Sequence, residues 1–299
     1  MKGPSFFIVV TATTVSSGRT VFGFELQPLL DWIHMGRFGD VKVVCSLRDI
    51  LVEKRKQEFY EERVINMLHT YFDLLLIHSD EQLLTLDETF SRMNDIQIPV
   101  VYTGFVAPKA DPAAGRQLRQ ELVIGSAEKL VVVSAGGGRS GYTLLNCILD
   151  AYPLMNRADS IRIEMFAGPF REPDEFEKLA AKAVNGIRIR HYTKRFLDYL
   201  SAADLSISLA GYNTCMNLIA ARVPALIYPY SKQREQPLRV TKIDKLIPMK
   251  ILRHKDIEPQ RISRYIHELL LESRPADPVP VNLDGAVQTA KYLETWIGR

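Results

Sequence analysis

Short, nearly unbroken apolar runs recur along the chain, each followed by a polar or glycine-rich turn and then an amphipathic stretch. Val41–Ser46, Leu74–His78, Pro99–Thr103, Leu130–Ser134, Ile161–Phe166, Ile187–His191, Leu205–Leu209 and Ala225–Tyr228 read as strands. Helical spacing marks Leu51–Tyr71, Gly141–Tyr152, Asp174–Val184, Phe196–Ala202 and Thr214–Ala221, and a tail over Leu283–Ile297. Strands alternating with helices of this length predict an α/β fold with parallel sheets. Strands this continuously apolar predict sheets covered on both faces. Val106–Gly115, with two prolines and several alanines, separates two such sets and is expected to be a boundary. The second set, about 115–272, suffices for a doubly wound domain. The first, about 1–105, supplies three strands and a weaker candidate at Phe6–Val10. The expected division is an amino-terminal domain over 1–107, a carboxyl-terminal domain over 108–275, and a terminal helix in 276–299 packing back across the domains.

Composition narrows the class. Of 299 residues 46% are hydrophobic, enough to bury sizeable cores and to exclude a disordered chain. Lys and Arg number 38 against 35 Asp and Glu. That balance argues against a nucleic-acid partner, which would call for concentrated basic charge. A local basic patch and peripheral contact with an anionic membrane stay compatible with it. Cys45, Cys147 and Cys215 are far apart and lack ligand spacing, so they are expected to be small buried residues of a reduced, cytoplasmic protein. No apolar run approaches the ~18–20 residues that span a bilayer.

Two strand-to-helix turns carry chemistry. Leu130–Ser134 runs into Ala135, Gly136, Gly137, Gly138, Arg139, Ser140 and Gly141. Glycines let a backbone approach a ligand, and the helix start beyond offers unpaired N–H groups and a positive dipole end. Arg139 adds a mobile positive charge and Ser134 and Ser140 add hydroxyls, a set that suits a phosphate or pyrophosphate. The loop is neither a Walker A sequence nor a clean GxGxxG, and a plain tight turn is the competing reading. Leu205–Leu209 runs into Ala210, Gly211, Tyr212, Asn213 and Thr214, where Asn213 and Thr214 either cap the helix or meet a ligand. A third strand ends before Ser231–Gln236. Ligands of open α/β sheets bind outside the carboxyl ends of strands, so the three ends together point to one site.

SAGGGRSG, SISLAGYNT and PYSKQREQ, with VVCSLRDILVEK at Val43–Lys54, YTGFVAP at Tyr102–Pro108 and LDGA-x-x-TA at Leu283–Ala290, resemble family 28 glycosyltransferases of the MurG-like, GT-B type. The resemblance covers about residues 19–295. It implies two Rossmann-like domains and a nucleotide-diphosphate-sugar donor, UDP-linked, held mainly by the second. Gly136, Gly137, Gly138, Arg139 and Ser140 would then approach the diphosphate. Tyr192 and Thr193 fall where the family's backbone holds uracil. Gly211, Tyr212, Asn213 and Thr214 would lie under the diphosphate, and Glu235 and Gln236 fall where a pair of glutamines touches the sugar. Asn217 stands where the family has a ribose-binding Glu, and Leu209–Gly211 departs from the usual glycine pattern. No carboxylate pair of the DxD type occurs, so the resemblance implies an inverting, metal-independent transfer with no cofactor.

On the amino-terminal side, Ser46, Arg48 and Asp49 follow one strand, His78, Ser79 and Asp80 the next, and Tyr102, Thr103 and Gly104 a third. Parallel strands would bring these groups to one edge. His78 is a candidate base, with a hydrogen-bonded ring at a strand end as the plain alternative. Arg48 and Asp49 are candidate acceptor-side groups or a local structural pair. The resemblance begins near Gly18–Leu30, already deep in the family's amino-terminal domain, so that domain is expected to be incomplete. Three functions stay open: transfer of a hexose or N-acetylhexosamine to an unknown acceptor; a non-catalytic donor-binding half that needs a partner chain or a second copy; and a nucleotide-sugar epimerase, which would require a denser set of acids and bases.

Overall fold

The computed structural model describes residues 6–11, 23–51, 54–155, 160–230 and 234–298. The stretches 18–22 and 231–233 of the motifs above lie outside the described residues. The chain divides into two compact units: one of 1–107 and 281–299 with 233–235, the other of 108–232 and 236–280.

The first unit runs β1 (Phe6–Thr11), α1 (Gly23–His34), β2 (Val41–Leu47), α2 (Gln57–Tyr71), β3 (Leu74–Ile77) and β4 (Val100–Tyr102). Its four strands form one sheet in the order β1-β2-β3-β4, parallel throughout. The weak candidate at Phe6–Val10 is therefore a true strand, paired with β2 from Phe6 opposite Val41 to Thr11 opposite Ser46. Because side chains alternate along a strand, β2 and β3 serve two cores. Val43, Cys45, Leu47, Leu75 and Ile77 pack with Leu30 and Ile33 of α1 and Val64 and Leu68 of α2. Val44, Leu74 and Leu76 pack instead against Leu293, Tyr292 and Trp296 of the terminal helix Gly285–Ile297. The returning chain is tied in by Phe105 N–H to Asn282 O, 2.8 Å, and Gly285 N–H to Phe105 O, 3.0 Å. Only glycine fits at 285, where a Cβ would lie 2.1 Å from Gly104 O.

Helix α2 begins at Gln57 and not at Leu51 as the apolar spacing suggests. Ile50 and Leu51 are apolar because they are buried as a loop. The Asp49 carboxylate accepts from Ile50 N–H at 2.7 Å and the Gln57 amide oxygen from Lys54 N–H at 2.9 Å.

The second unit runs α3 (Pro112–Glu121), β5 (Lys129–Ser134), α4 (Tyr142–Ala151), β6 (Ile161–Phe166), α5 (Pro173–Ala181), β7 (Ile187–Arg190), α6 (Phe196–Ala202), β8 (Leu205–Leu209), α7 (Tyr212–Ala221), β9 (Ala225–Tyr228), α8 (Glu235–Ile243), β10 (Met249–Ile251) and α9 (Pro259–Leu270). Its six strands are parallel in the order β10-β9-β8-β5-β6-β7. The sheet is doubly wound: β5, β6 and β7 step one way from the centre, and β8, β9 and β10 the other. One face buries Val131, Val133, Ile163 and Ile207 against Leu144 and Ile148 of α4 and Ile262 and Ile266 of α9.

The proline- and alanine-rich stretch is half linker and half helix. Asp111 caps α3 by accepting from Ala113 N–H at 2.8 Å, and Pro112 takes the first helical position, where no N–H is needed. Gly115 is not a loop glycine: a Cβ there would lie 2.7 Å from the Ser201 carbonyl carbon, so it lets α3 close on α6.

Candidate functional site

In a doubly wound sheet the connections diverge at the point where the strand order reverses, leaving a crevice beyond the carboxyl ends. Here that point lies between β5 and β8, which pair from Val131 opposite Leu205 to Ser134 opposite Ser208. The two turns that end in glycine are the two that flank it.

The three glycines differ in kind. Gly136 has φ +60° and open space where a Cβ would stand, and Gly137 has only the Phe170 ring nearby, 3.6 Å from such a Cβ. Both are exposed. Gly138 is buried, with φ +92°, and a Cβ there would lie 2.8 Å from Ala167 O and 2.9 Å from Gly168 Cα. It serves packing between the β5 and β6 loops, whereas the backbone at Gly136 and Gly137 is open. Ser134 Oγ accepts from Gly136 N–H at 3.1 Å and shapes the turn.

Each turn opens a ten-residue helix whose start lacks a side-chain cap. Gly141 stands at the N-cap of α4 and Gly211 at that of α7, and neither position has a side chain that can accept. The intrahelical ladder begins with Leu145 N–H to Gly141 O, 3.0 Å, and Cys215 N–H to Gly211 O, 2.9 Å. The first turn of a helix offers N–H groups that have no intrahelical acceptor, with the positive dipole end beside them. Asn213 and Thr214 follow Gly211 inside α7, so neither is its cap. Asn213 is exposed, Tyr212 is buried, and Thr214 and Asn217 are half-buried, one turn apart.

Two buried arginines that sequence reasoning passed over hold these turns in the same way. Arg171 Nη2 donates to Ser140 O at 2.6 Å, pairs with Glu175 at 2.7 Å, and lies over the ring of Tyr142, the first residue of α4. Arg239 of α8 donates to Ala210 O at 3.4 Å and lies over the ring of Tyr212, the first residue of α7. The signal for Arg239 is its place one turn after Gln236 and beside apolar Val240. For Arg171, a lone arginine after Gly168-Pro-Phe, no periodicity marks it.

The remaining donor candidates follow β7, β9 and β5 along the chain. Tyr192 is exposed and Thr193 half-buried just beyond β7, the Thr193 hydroxyl accepting from Arg195 N–H at 3.1 Å. Glu235 and Gln236 open α8, and Gln236 Oε1 is buried with no hydrogen-bond partner among the described residues. Arg139 is exposed, its guanidinium 5.5 Å from the centre of the Phe170 ring.

In the first unit, β2, β3 and β4 do bring their carboxyl ends together. His78 Nε2 is 2.7 Å from Ser46 Oγ and its Nδ1 2.8 Å from Thr103 Oγ1. Burial depresses its pKa below the ordinary histidine value. In the neutral ring one hydroxyl donates to the bare nitrogen and the other accepts from the ring N–H. Asp49 is buried and spends one oxygen on Ile50 N–H, whereas Arg48 is exposed. All three cysteines are buried and free, and burial pushes the Cys45 thiol up to about 12. Among the described residues no helix is long and apolar enough to cross a membrane, and no group of three His, Cys, Asp or Glu side chains is placed to hold a metal ion.

The model of the glycosyltransferase family 28 C-terminal domain matches residues 131–283, just over half the chain, from β5 into the segment before the terminal helix. A UDP-N-acetylglucosamine–N-acetylmuramyl-(pentapeptide) pyrophosphoryl-undecaprenol N-acetylglucosamine transferase of Carboxydothermus hydrogenoformans is 28% identical over 130 residues, 42% of this chain. That match spans about a third, 34%, of the relative's own length. Among solved structures, the calicheamicin glycosyltransferase CalG4 superposes with a TM-score of 0.61 at 14% identity, over 99% of this chain and 74% of CalG4. Anabaena HepE, solved with UDP and glucose, gives 0.54 at 13% identity, over 92% of this chain and 82% of HepE. Likeness at such identity establishes the GT-B glycosyltransferase fold.

Proposed function

Since the chain belongs to glycosyltransferase family 28, we propose that it binds a nucleotide-diphosphate sugar on its second unit and transfers the hexose or N-acetylhexosamine to an acceptor hydroxyl. The observation that carries this reading is the open Gly136–Gly137 turn at the switch point, flanked by the uncapped starts of α4 and α7. Orphan N–H groups and aligned dipoles stabilise negative charge where it develops. The diphosphate is the leaving group: the C1–O bond breaks with its electron pair on the diphosphate while the acceptor oxygen bonds to C1 and gives up its proton. The turn, the helix starts and Arg139 take the role that a metal ion has in other transferases. Thr214 is assigned to the diphosphate, Asn217 to the ribose hydroxyls, and Gln236 to the sugar through its carbonyl oxygen, which has no partner among the described residues. His78 is the candidate base, on condition that it exchanges one of its two hydroxyl partners for the acceptor. A uridine nucleotide is favoured because HepE was solved with UDP and because the sequence resemblance places Tyr192 and Thr193 at the uracil.

The test is calorimetric titration with UDP and UDP-N-acetylglucosamine, in the presence and absence of EDTA, on the wild type and on Gly137→Asp. Gly137 is outside the positive-φ set and open apart from Phe170, so the variant folds while placing a carboxylate against the diphosphate. The expected result is wild-type binding insensitive to EDTA, weakened at least about tenfold in the variant. Equal affinity of the two proteins would remove the diphosphate from this turn, and no binding of either ligand would overturn the uridine donor.

A further inference from the structure

Within that donor reading, we propose that Phe170 is a positioning residue for the diphosphate: its ring holds the Arg139 guanidinium beside the open glycine turn as an unspent charge. Phe170 is 62% exposed, a large apolar side chain outside the core. It is nevertheless fixed. Its own N–H donates to Gly137 O at 2.9 Å. On one side of it the Gly138 and Gly168 backbones touch so closely that a Cβ on Gly168 would lie 2.3 Å from Gly138 Cα. On the other side Arg171 is buried and bound to Ser140 O. The ring is therefore carried by a loop fastened to the glycine turn at both ends.

Arg139 lies over this ring and makes no ion pair with a described residue. The distinction matters because acids are close by in sequence: Glu172, Asp174 and Glu175 follow Phe170, and Glu175 is taken by Arg171. A guanidinium paired with a carboxylate is already neutralised. One resting on a π face is oriented by a weak attraction, keeps its full charge and all five donors, and can be captured by a phosphate in a bidentate bond. The glycine turn, the two helix starts and Arg139 then address the same anion, with Phe170 acting only through Arg139.

The experiment is calorimetric titration of wild type, Phe170→Ala, Phe170→Tyr, Arg139→Ala and Phe170→Ala/Arg139→Ala with UDP and, separately, with uridine, alongside thermal unfolding. Phe170→Ala is expected to weaken UDP about fivefold, Phe170→Tyr to retain wild-type affinity within about twofold, and the double variant to bind no more weakly than Arg139→Ala. Uridine, which lacks the phosphates, keeps one affinity throughout, and the unfolding midpoint stays unchanged because the ring is exposed. The proposal is overturned if Phe170→Ala leaves UDP binding unaltered, weakens uridine as much as UDP, or weakens UDP equally without Arg139. Loss of UDP binding by the wild type itself would overturn the donor reading and this proposal together, an outcome distinct from the other three.

Discussion

His78 is held by one hydroxyl at each ring nitrogen, and burial makes its ring harder to protonate than a free imidazole. The sign of the pH effect follows. Below the ordinary value of 6.5 the unfolded chain binds a proton that the folded chain refuses. This contribution to stability is therefore present above pH 6.5 and is lost as pH falls toward the folded pKa. An NMR titration should put the His78 midpoint below 6.5, and urea unfolding should show a fall in stability below that pH that is smaller in His78→Asn. A midpoint at or above 6.5 would mean that the ring is solvated. At this scale the sequence is a partial guide. The residue types of the glycine turn announced a backbone that approaches something, but not what: Gly136 and Gly137 are open, whereas Gly138 meets another backbone. That difference depends on Gly168, thirty residues on, which no local pattern connects to it.

The elements obey their local chemistry where solvent or a cap decides them. Helix α3 ends at Glu121, and Val123 follows in the left-handed region at φ +57°, 81% exposed, at the position where glycine commonly closes a helix. A β-branched residue there is strained by about 1–2 kcal/mol and its side chain packs against little. Val123→Gly should therefore raise the stability of the second unit by about 1 kcal/mol, read as a higher denaturant midpoint; a lower midpoint would show that the Val123 side chain stabilises the fold. The central strands were legible because a strand buried on both faces must be apolar throughout. Helix α9 was legible in principle, since Ile262, Ile266, Leu269 and Leu270 share one face. The start of α2 was not, because a buried loop such as Ile50–Leu51 is as apolar as a helix face. Strand β10, three half-buried residues at a sheet edge, carries too short a pattern to register.

The whole molecule depends on a chain that leaves the first unit after residue 107, builds the second, and comes back for its last helix. That helix covers Val44, Leu74 and Leu76, the second face of a four-stranded sheet, through Leu293, Tyr292 and Trp296. Leu293→Ala should destabilise the first unit by about 2–3 kcal/mol, and removal of residues 281–299 should abolish its cooperative unfolding while the second unit still melts, as followed by calorimetry. A single unaltered transition would refute the assignment of the helix to that sheet. The alternation of apolar runs and amphipathic stretches was sufficient to specify parallel α/β units, the strands of the second sheet other than β10, and the glycine-rich turns that follow β5 and β8, because these follow from side-chain periodicity and from the special freedom of glycine. Strand order, the meeting of the β5 and β8 turns, the two buried arginines behind them and the return of the last helix belong to the folded molecule alone. They arise from contacts between residues distant along the chain, formed where packing excludes water, and no local pattern encodes a partner that has not yet come near.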